Sequence, residues 1–150
     1  MDHAAALTRM GFAAGEALPE GLSPAGWGRN GENWYFVYED PGAEHFMAQV
    51  EAVRKFVNGQ YAMPRMLRFR SPYMLVLAVL TAPDPATVEA VRQSYTSGWM
   101  GGEVYHLAAL GLHDQVLTLP EPKGNRNQRF VEALRLKQSR PDQLVLGLFA

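Results

Sequence analysis

The sequence predicts an α+β fold of the ferredoxin-like, split βαβ type over residues 34–110. Three observations predict it. Two stretches repeat the same order of an apolar strand, an Asp-Pro step and an amphipathic helix. A short alternating segment lies between them, and a further strand-like segment follows the second helix. In this arrangement both helices cover one face of an antiparallel sheet.

The first unit begins at residues 34–39, where aromatic and β-branched residues are typical of a strand. Asp40 can cap a helix and Pro41 can open one. Apolar residues then recur at steps of three and four, which predicts a helix. They are Ala43, Phe46, Met47, Val50, Val53 and Val57. Gly59 is placed to end that helix.

The second unit repeats this order. Residues 74–81 form a continuous apolar strand, Asp84-Pro85 again begins a helix, and Val88, Val91 and Tyr95 space its apolar side. Between the units, residues 66–70 alternate in the manner of a strand that turns at Ser71-Pro72. Residues 104–110 supply the last strand of the core.

The flanking segments predict additional elements. Residues 3–10 form a short helix ended by Gly11, and Asn30-Gly31 is a two-residue hairpin turn before the first strand. Residues 112–119 pair back on the last strand through a turn at His113-Asp114. Residues 128–139 form a helix before Pro141, and residues 144–149 are either a final edge strand or a docking tail. We expect Phe130, Val131 and Leu134 to face inward on that helix.

Composition predicts one cytoplasmic domain spanning residues 1–150. Hydrophobic residues make up 47%, which is typical of a globular core. The absence of cysteine excludes a disulfide framework, a zinc-thiolate site and a catalytic thiol. No apolar stretch approaches the ~20 residues that span a bilayer, and the first residues lack a secretory signal pattern. We therefore expect no membrane association.

Charge is unevenly distributed along the chain. Residues 123–140 contain six basic residues and a single acid, Glu132, so this segment carries +5 and the remainder carries −6. Phosphate contacts through the basic segment make nucleic acid an alternative partner. Two observations count against it: the strand at residues 74–80 lacks the aromatic and basic residues of an RNA-recognition motif, and the core is acidic.

Two glycine–tryptophan segments are the main candidates for binding. Residues 26–31 match the pattern G-x-G-x-x-G, but they precede a strand instead of following one, so they predict a structural turn and no dinucleotide site. Residues 98–102 form the second segment. A tryptophan between glycines is typical of a partner contact, with a plug at the edge of the core as the alternative. The predicted binding residues are Trp27, Arg29, Trp99 and Met100.

Catalysis has one candidate cluster, in which His106, Glu103 and Asp40 would perform acid–base chemistry on a small substrate. The four histidines lack the spacing of a metal site, and no cofactor motif is found, so we expect neither a metal nor a cofactor. A small enzyme is thus an alternative function, and these residues are its candidate catalytic groups.

The step Asp40-Pro41-Gly42 resembles the turn of small amino-acid-binding regulatory domains of the ACT type, which share the split βαβ order. The resemblance covers three or four residues. Glu39 and Asp40 also resemble the metal-binding carboxylates of polymerase palms and nucleotide cyclases. Such sites need an acid on the neighbouring hairpin, where this chain has Arg68-Phe69-Arg70.

The two central strands of the predicted sheet are apolar on both faces, while two helices cover only one. The C-terminal segment, a second copy of the protein or a ligand must cover the other face. The leading hypothesis is therefore a non-catalytic interaction or regulatory module. It would act as a homodimer that binds a protein or a small ligand.

Overall fold

The α+β class is confirmed by a computed structural model, which describes residues 1–13, 17–61, 72–94 and 104–150. The elements in chain order are α1 (His3–Arg9), β1 (Gly26–Asn30), β2 (Asn33–Glu39), α2 (Ala43–Gly59), β3 (Tyr73–Leu80), α3 (Pro85–Gln93), β4 (Val104–Gly111), β5 (Val116–Thr118), α4 (Arg126–Ser139) and α5 (Pro141–Leu148). The N-terminal helix and the return strand β5 occur where the sequence predicts them.

The strands form one mixed sheet in the order β1-β2-β3-β4-β5. The central strands β2, β3 and β4 are parallel, and β1 and β5 are antiparallel edges. The split βαβ order is not confirmed, because it requires β2 and β3 to be antiparallel neighbours and they pair in parallel. The strand predicted at residues 66–70 lies outside the described residues.

Two helical crossovers explain this strand order. Each of α2 and α3 connects one parallel strand to the next, and right-handed crossovers in the same direction place both helices on one face. Alternate residues of the strands meet them there. This first core includes Phe36 and Tyr38 from β2, Met74 and Val76 from β3, and Val53 from α2.

The second face of the sheet is covered by α1 and α5. Tyr35 and Val37 of β2 and Leu75 and Leu77 of β3 pack there, with Leu7 of α1. Val145 and Leu148 of α5 complete this second core. Of the three coverings that the sequence allowed, the C-terminal segment is therefore the one observed, together with α1.

The C-terminal segment is a helix and not an edge strand. Pro141 occupies its first turn, where the missing N–H is not needed, and Val145 and Leu148 lie three residues apart on the buried side. Arg140 separates α4 from α5 with a left-handed backbone, φ 49°. That turn lets the chain fold back onto the sheet.

The two Asp-Pro steps differ in what they do. Asp84 caps α3 as predicted, accepting a hydrogen bond from the Thr87 N–H at 3.1 Å. Asp40 does not cap α2, whose N-cap is Gly42 with no side-chain bond. The Asp40 carboxylate instead accepts from the N–H and the hydroxyl of Thr81, at 2.9 and 2.6 Å. The parallel neighbour β3 ends beside Asp40 and supplies this competing donor.

The predicted orientation of α4 is wrong. Phe130, Val131 and Leu134 are 68%, 40% and 43% exposed, whereas Glu132 is the buried residue of this helix. Its inner side includes the polar residues Glu132 and Ser139, which lie beside His106 and Tyr73 of the sheet. Within the described ranges, no helix combines the length and the apolarity that crossing a membrane requires.

Candidate functional site

The β1–β2 hairpin places the predicted binding residues Trp27 and Arg29 on the same face. Its register pairs Trp27 with Phe36 and Arg29 with Trp34, so the two turn residues are Gly31 and Glu32. A turn at Asn30-Gly31, as predicted, would have paired Trp27 with Trp34. Because alternate strand residues share a face, all four side chains point toward α2.

The glycines on either side of Trp27 allow close packing on the opposite face of β1. A Cβ atom at Gly26 would lie 2.8 Å from the Cβ of His3, and one at Gly28 would lie 2.7 Å from the Cβ of Phe12. Backbone approach of this kind requires glycine in a strand. The match to G-x-G-x-x-G is explained by packing of α1 and Phe12 against an edge strand.

Aromatic rings cluster on the α2 side of the hairpin. The Trp27 ring is stacked with the rings of Trp34 and Phe36, with centroid distances of 6.2 and 5.8 Å. Phe56 of α2 meets Trp27 and Trp34 edge-on at 6.0 and 5.9 Å. Trp27 is only half-buried, so it both packs against the core and presents its ring to solvent.

A cavity of about 650 Å³ opens over this cluster. Ligand sites in proteins are typically clefts of roughly 300–1,000 Å³. We name this cavity the aromatic pocket. Its lining residues are Ala17, Pro19, Trp27, Arg29, Trp34, Phe56 and Gln60. A second cavity of about 450 Å³ shares Pro19, Phe56 and Gln60 and continues the groove along α2.

Arg29 supplies the positive charge of the aromatic pocket. Its Nε–H donates to the Gly31 carbonyl at 2.7 Å, and its guanidinium carbon lies 4.5 Å from the ring centroid of Trp34. It also lies 5.9 Å from the ring of Tyr61. Both rings are therefore within cation–π distance of the guanidinium. Among the residues that the structure describes, no carboxylate forms an ion pair with Arg29.

One wall of the aromatic pocket is tied to α2 by a buried glutamine. The Gln49 side-chain amide donates to the Gly21 carbonyl at 2.6 Å, and its oxygen accepts from the Ser23 N–H at 3.0 Å. The same oxygen accepts from the Tyr38 hydroxyl at 2.8 Å. These three bonds on one buried side chain hold residues 21–23, which follow Pro19 of the pocket wall, against α2.

His106, the central residue of the predicted catalytic cluster, is enclosed. Its Nδ1 lies 3.2 Å from the Tyr73 hydroxyl, and burial together with the nearby Arg135 lowers its pKa to about 4. The adjacent cavity, lined by Glu132 among others, has a volume of about 10 Å³. That volume excludes a substrate, and His106 is neutral at pH 7.

The other candidate catalytic residues do not meet His106. His106 pairs with Leu75, whereas Asp40 follows Glu39, which pairs with Val79. Leu75 and Val79 are four residues apart on β3, so about 13 Å of strand separates the positions of His106 and Glu39 along the sheet. Hydrogen bonds from Thr81 lower the pKa of the Asp40 carboxyl and occupy its oxygens. The structure therefore brings no two of these candidates together among the described residues.

Three of the predicted site residues, Glu103, Trp99 and Met100, lie outside the described residues. Metal binding has no support in the remainder, since the described ranges contain no group of three His, Cys, Asp or Glu residues that could hold an ion. Trp27 and Arg29 are the predicted site residues that the structure brings together.

Sequence reasoning missed five residues that line the aromatic pocket: Ala17, Pro19, Trp34, Phe56 and Gln60. The signal for Trp34 was present, because the hairpin places it opposite Arg29 once the turn is assigned to Gly31-Glu32. Phe56 and Gln60 lie four residues apart and therefore on one side of α2. Phe56 follows Val53 and Gln60 follows Val57 by three residues, so both lie beside the apolar stripe. Only the position of the hairpin shows that they line a pocket.

The site thus consists of an aromatic groove beside one arginine, on the edge of a mixed sheet covered on both faces. Comparisons of the chain with protein-family models, with curated proteins and with solved structures found no match.

Proposed function

We propose that this protein is a binding module whose aromatic pocket accepts a flat apolar group that carries a negative charge. One observation carries the proposal: three aromatic side chains line an open cavity in which Arg29 has no carboxylate partner among the described residues. Aromatic walls favour a planar apolar group by stacking. A planar guanidinium favours a carboxylate or a phosphate.

The shape of the groove supports a ligand longer than one ring. The adjoining cavity continues past Phe56, where Lys55 and Glu20 line it and contribute one charge of each sign. A free aromatic acid and an acidic, aromatic segment of a partner protein have this same chemistry. Both would place a ring beside Trp27 and an anion beside Arg29.

The other functions considered from the sequence gain no supporting geometry. An acid–base enzyme would need His106 to reach a substrate, and its enclosed position and neutral ring at pH 7 argue against that role. The homodimer stays a prediction. The reason for it, a sheet face without a cover, no longer applies, because α1 and α5 pack on that face.

A matched pair of small probes tests the proposal. The full chain is titrated with 2-naphthoate and with 2-naphthamide, which have the same ring system but differ in charge, and indole N–H signals are followed by NMR. We expect 2-naphthoate to bind with a dissociation constant on the order of 0.1–1 mM. Arg29→Gln should weaken it about tenfold, since a charge-assisted hydrogen bond is lost.

The control variant is Arg9→Gln, which removes an exposed arginine at the end of α1. It should leave the affinity for 2-naphthoate unchanged. Equal affinity for the two probes, together with no effect of Arg29→Gln, would show that the pocket does not recognise anions. Acidic peptides with and without a tryptophan then separate a partner segment from a free aromatic acid.

A further inference from the structure

Helix α4 presents an apolar patch to solvent. Among the described residues, three of the seven large apolar side chains that are exposed belong to this one helix: Phe130, Val131 and Leu134. Phe130 and Leu134 lie four residues apart, so they are neighbours on the helix surface. Ordinary surfaces carry single exposed apolar residues, whereas a group of this kind marks a contact site.

Positive charge flanks this patch. Arg126, Arg129 and Lys137 are exposed on the same helix, and among the described residues none of them forms an ion pair. The single acid of the helix, Glu132, is turned inward and lies 3.9 Å from Arg135. The outer side of α4 is therefore apolar at its centre and purely basic at its flank.

The inner side of α4 explains why the patch cannot turn toward the core. Glu132 and Leu136 line the small cavity beside His106, and Ser139 reaches the hydroxyl of Tyr73. These residues lie at helical steps on one side of the helix. A capping box at Asn125 and Gln128 also fixes where the helix begins. The orientation of α4 is thus set by its polar contacts.

We infer that the outer side of α4 binds an acidic amphipathic helix of another protein. Phe130, Val131 and Leu134 would pack against its apolar stripe, and Arg126, Arg129 and Lys137 would face its carboxylates. At 1.5 Å per residue, α4 is about 21 Å long, which matches a partner helix of about four turns. This surface is independent of the aromatic pocket.

Charge and composition favour this occupant over the others. A second copy docking symmetrically through α4 would oppose two basic flanks, which is unfavourable. Nucleic acid would use the basic flank and leave the apolar centre without a partner. A helix that lies in a bilayer surface has a broad apolar face, and this patch contains only three large apolar residues, two of which are partly covered.

The test uses the full chain and a designed probe. The probe is a helical peptide of about 18 residues with leucines at three- and four-residue steps and glutamates elsewhere. A scrambled peptide of the same composition lacks the stripe, and a version with glutamine for glutamate lacks the charge. By calorimetry, we expect micromolar binding of the first peptide and at least about tenfold weaker binding of the other two.

Protein variants locate the contact. The double variant Phe130→Ser, Leu134→Ser should weaken the first peptide by about tenfold or more, and Arg129→Glu should do the same. The control is Leu146→Ser, which changes an exposed leucine on α5 and should have no effect. All four residues are exposed, so circular dichroism should show an unchanged fold.

Several outcomes would overturn the inference. No binding of the acidic amphipathic peptide at about 1 mM would do so, as would equal binding of the scrambled peptide. Tighter binding to anionic phosphatidylglycerol vesicles or to a short DNA duplex would replace the proposed occupant with a membrane or a nucleic acid. Dimerisation in sedimentation that the double serine variant abolishes would replace it with a second copy.

Discussion

Helices α2 and α4 have opposite relations to the sheet. In α2 the apolar positions Phe46, Val50, Val53 and Val57 are buried, and charged positions such as Glu51 are exposed. In α4 the largest apolar residues are exposed and an acid is buried. Both helices occur where the sequence predicts a helix, so their difference lies in packing and not in local structure.

The comparison shows what an amphipathic pattern can and cannot predict. Helical spacing tells which residues share a side, and it holds for Phe130 and Leu134 as well as for Phe46 and Val50. Which side is buried depends on how much sheet remains to be covered. For α2 a whole apolar face was available, whereas the apolar residues of the second face are covered by α1 and α5, and α4 meets the polar groups of His106 and Tyr73 there.

The largest expected effect comes from the same substitution in the two helices. Phe46→Ala removes a fully buried ring from the first core, and we expect it to lower the free energy of unfolding by about 3–5 kcal/mol. Phe130→Ala should change it by no more than about 0.5 kcal/mol, because the ring is mostly in water. Urea denaturation of both variants measures the difference.

A loss of about 2 kcal/mol or more for Phe130→Ala would contradict the outward orientation of α4. It would mean that the ring is buried in solution, against the sheet or in an interface with another copy. Repeating the measurement at several protein concentrations distinguishes these cases, because only an interface makes stability depend on concentration.

The second prediction concerns the pH dependence of stability, which should arise where α4 packs on the sheet. The buried residues of α2 include no acid or histidine, whereas α4 packs beside His106. The pKa of His106 is about 4 in the folded chain and 6.5 as the ordinary value. Between these values the unfolded chain binds more protons than the folded chain does. The contribution of neutral His106 to the free energy of unfolding is therefore fully present above pH 6.5 and is lost as the pH decreases toward 4.

From pH 7.5 to pH 5 this linkage should remove roughly 2 kcal/mol of unfolding free energy. His106→Gln should lack that part of the decrease, whatever its own effect on stability at pH 7.5. His45→Gln on the exposed side of α2 is the matched control. If wild type and His106→Gln lose stability equally over this range, the buried histidine is already protonated or is accessible to water.

The parallel order of the central strands shows where sequence reasoning failed on the fold. The uninterrupted apolar run of β3 is typical of a parallel strand buried on both faces, and that signal was present. The alternating segment at residues 66–70 suggested an extra strand and hence an antiparallel order. Local patterns predict strands and helices, but pairing direction depends on contacts between distant segments such as Tyr35 and Leu75.

The candidate site was predictable only in part. Trp27 and Arg29 could be singled out because a tryptophan between glycines is unusual, and the structure places both in the aromatic pocket. The partners Phe56 and Gln60 come from α2, and their approach depends on the position of the edge hairpin. His106 was selected as a polar residue in a strand, and only its burial shows why it lacks access to substrate.

The smallest expected effect tests how α4 is held without an apolar inner side. Its N-cap Asn125 accepts from the Gln128 N–H at 2.9 Å, and the Gln128 side chain accepts in return from the Asn125 N–H at 2.9 Å. In α2 the N-cap is Gly42 with no such bond. A helix with little packing relies more on its cap, so Asn125→Ala should lower the local opening free energy of α4 by about 1 kcal/mol.

Hydrogen exchange of the α4 amides measures this loss, and Asn127→Ala is the control, because it changes the same residue type at an exposed position inside the helix. Amides of α2 and β3 should be unaffected in both variants. This separation matters, because it would show that α4 opens independently of the core that α2 stabilises. If Asn125→Ala accelerates exchange throughout the sheet, α4 unfolds together with the core, and its polar inner contacts contribute as much as the apolar packing of α2.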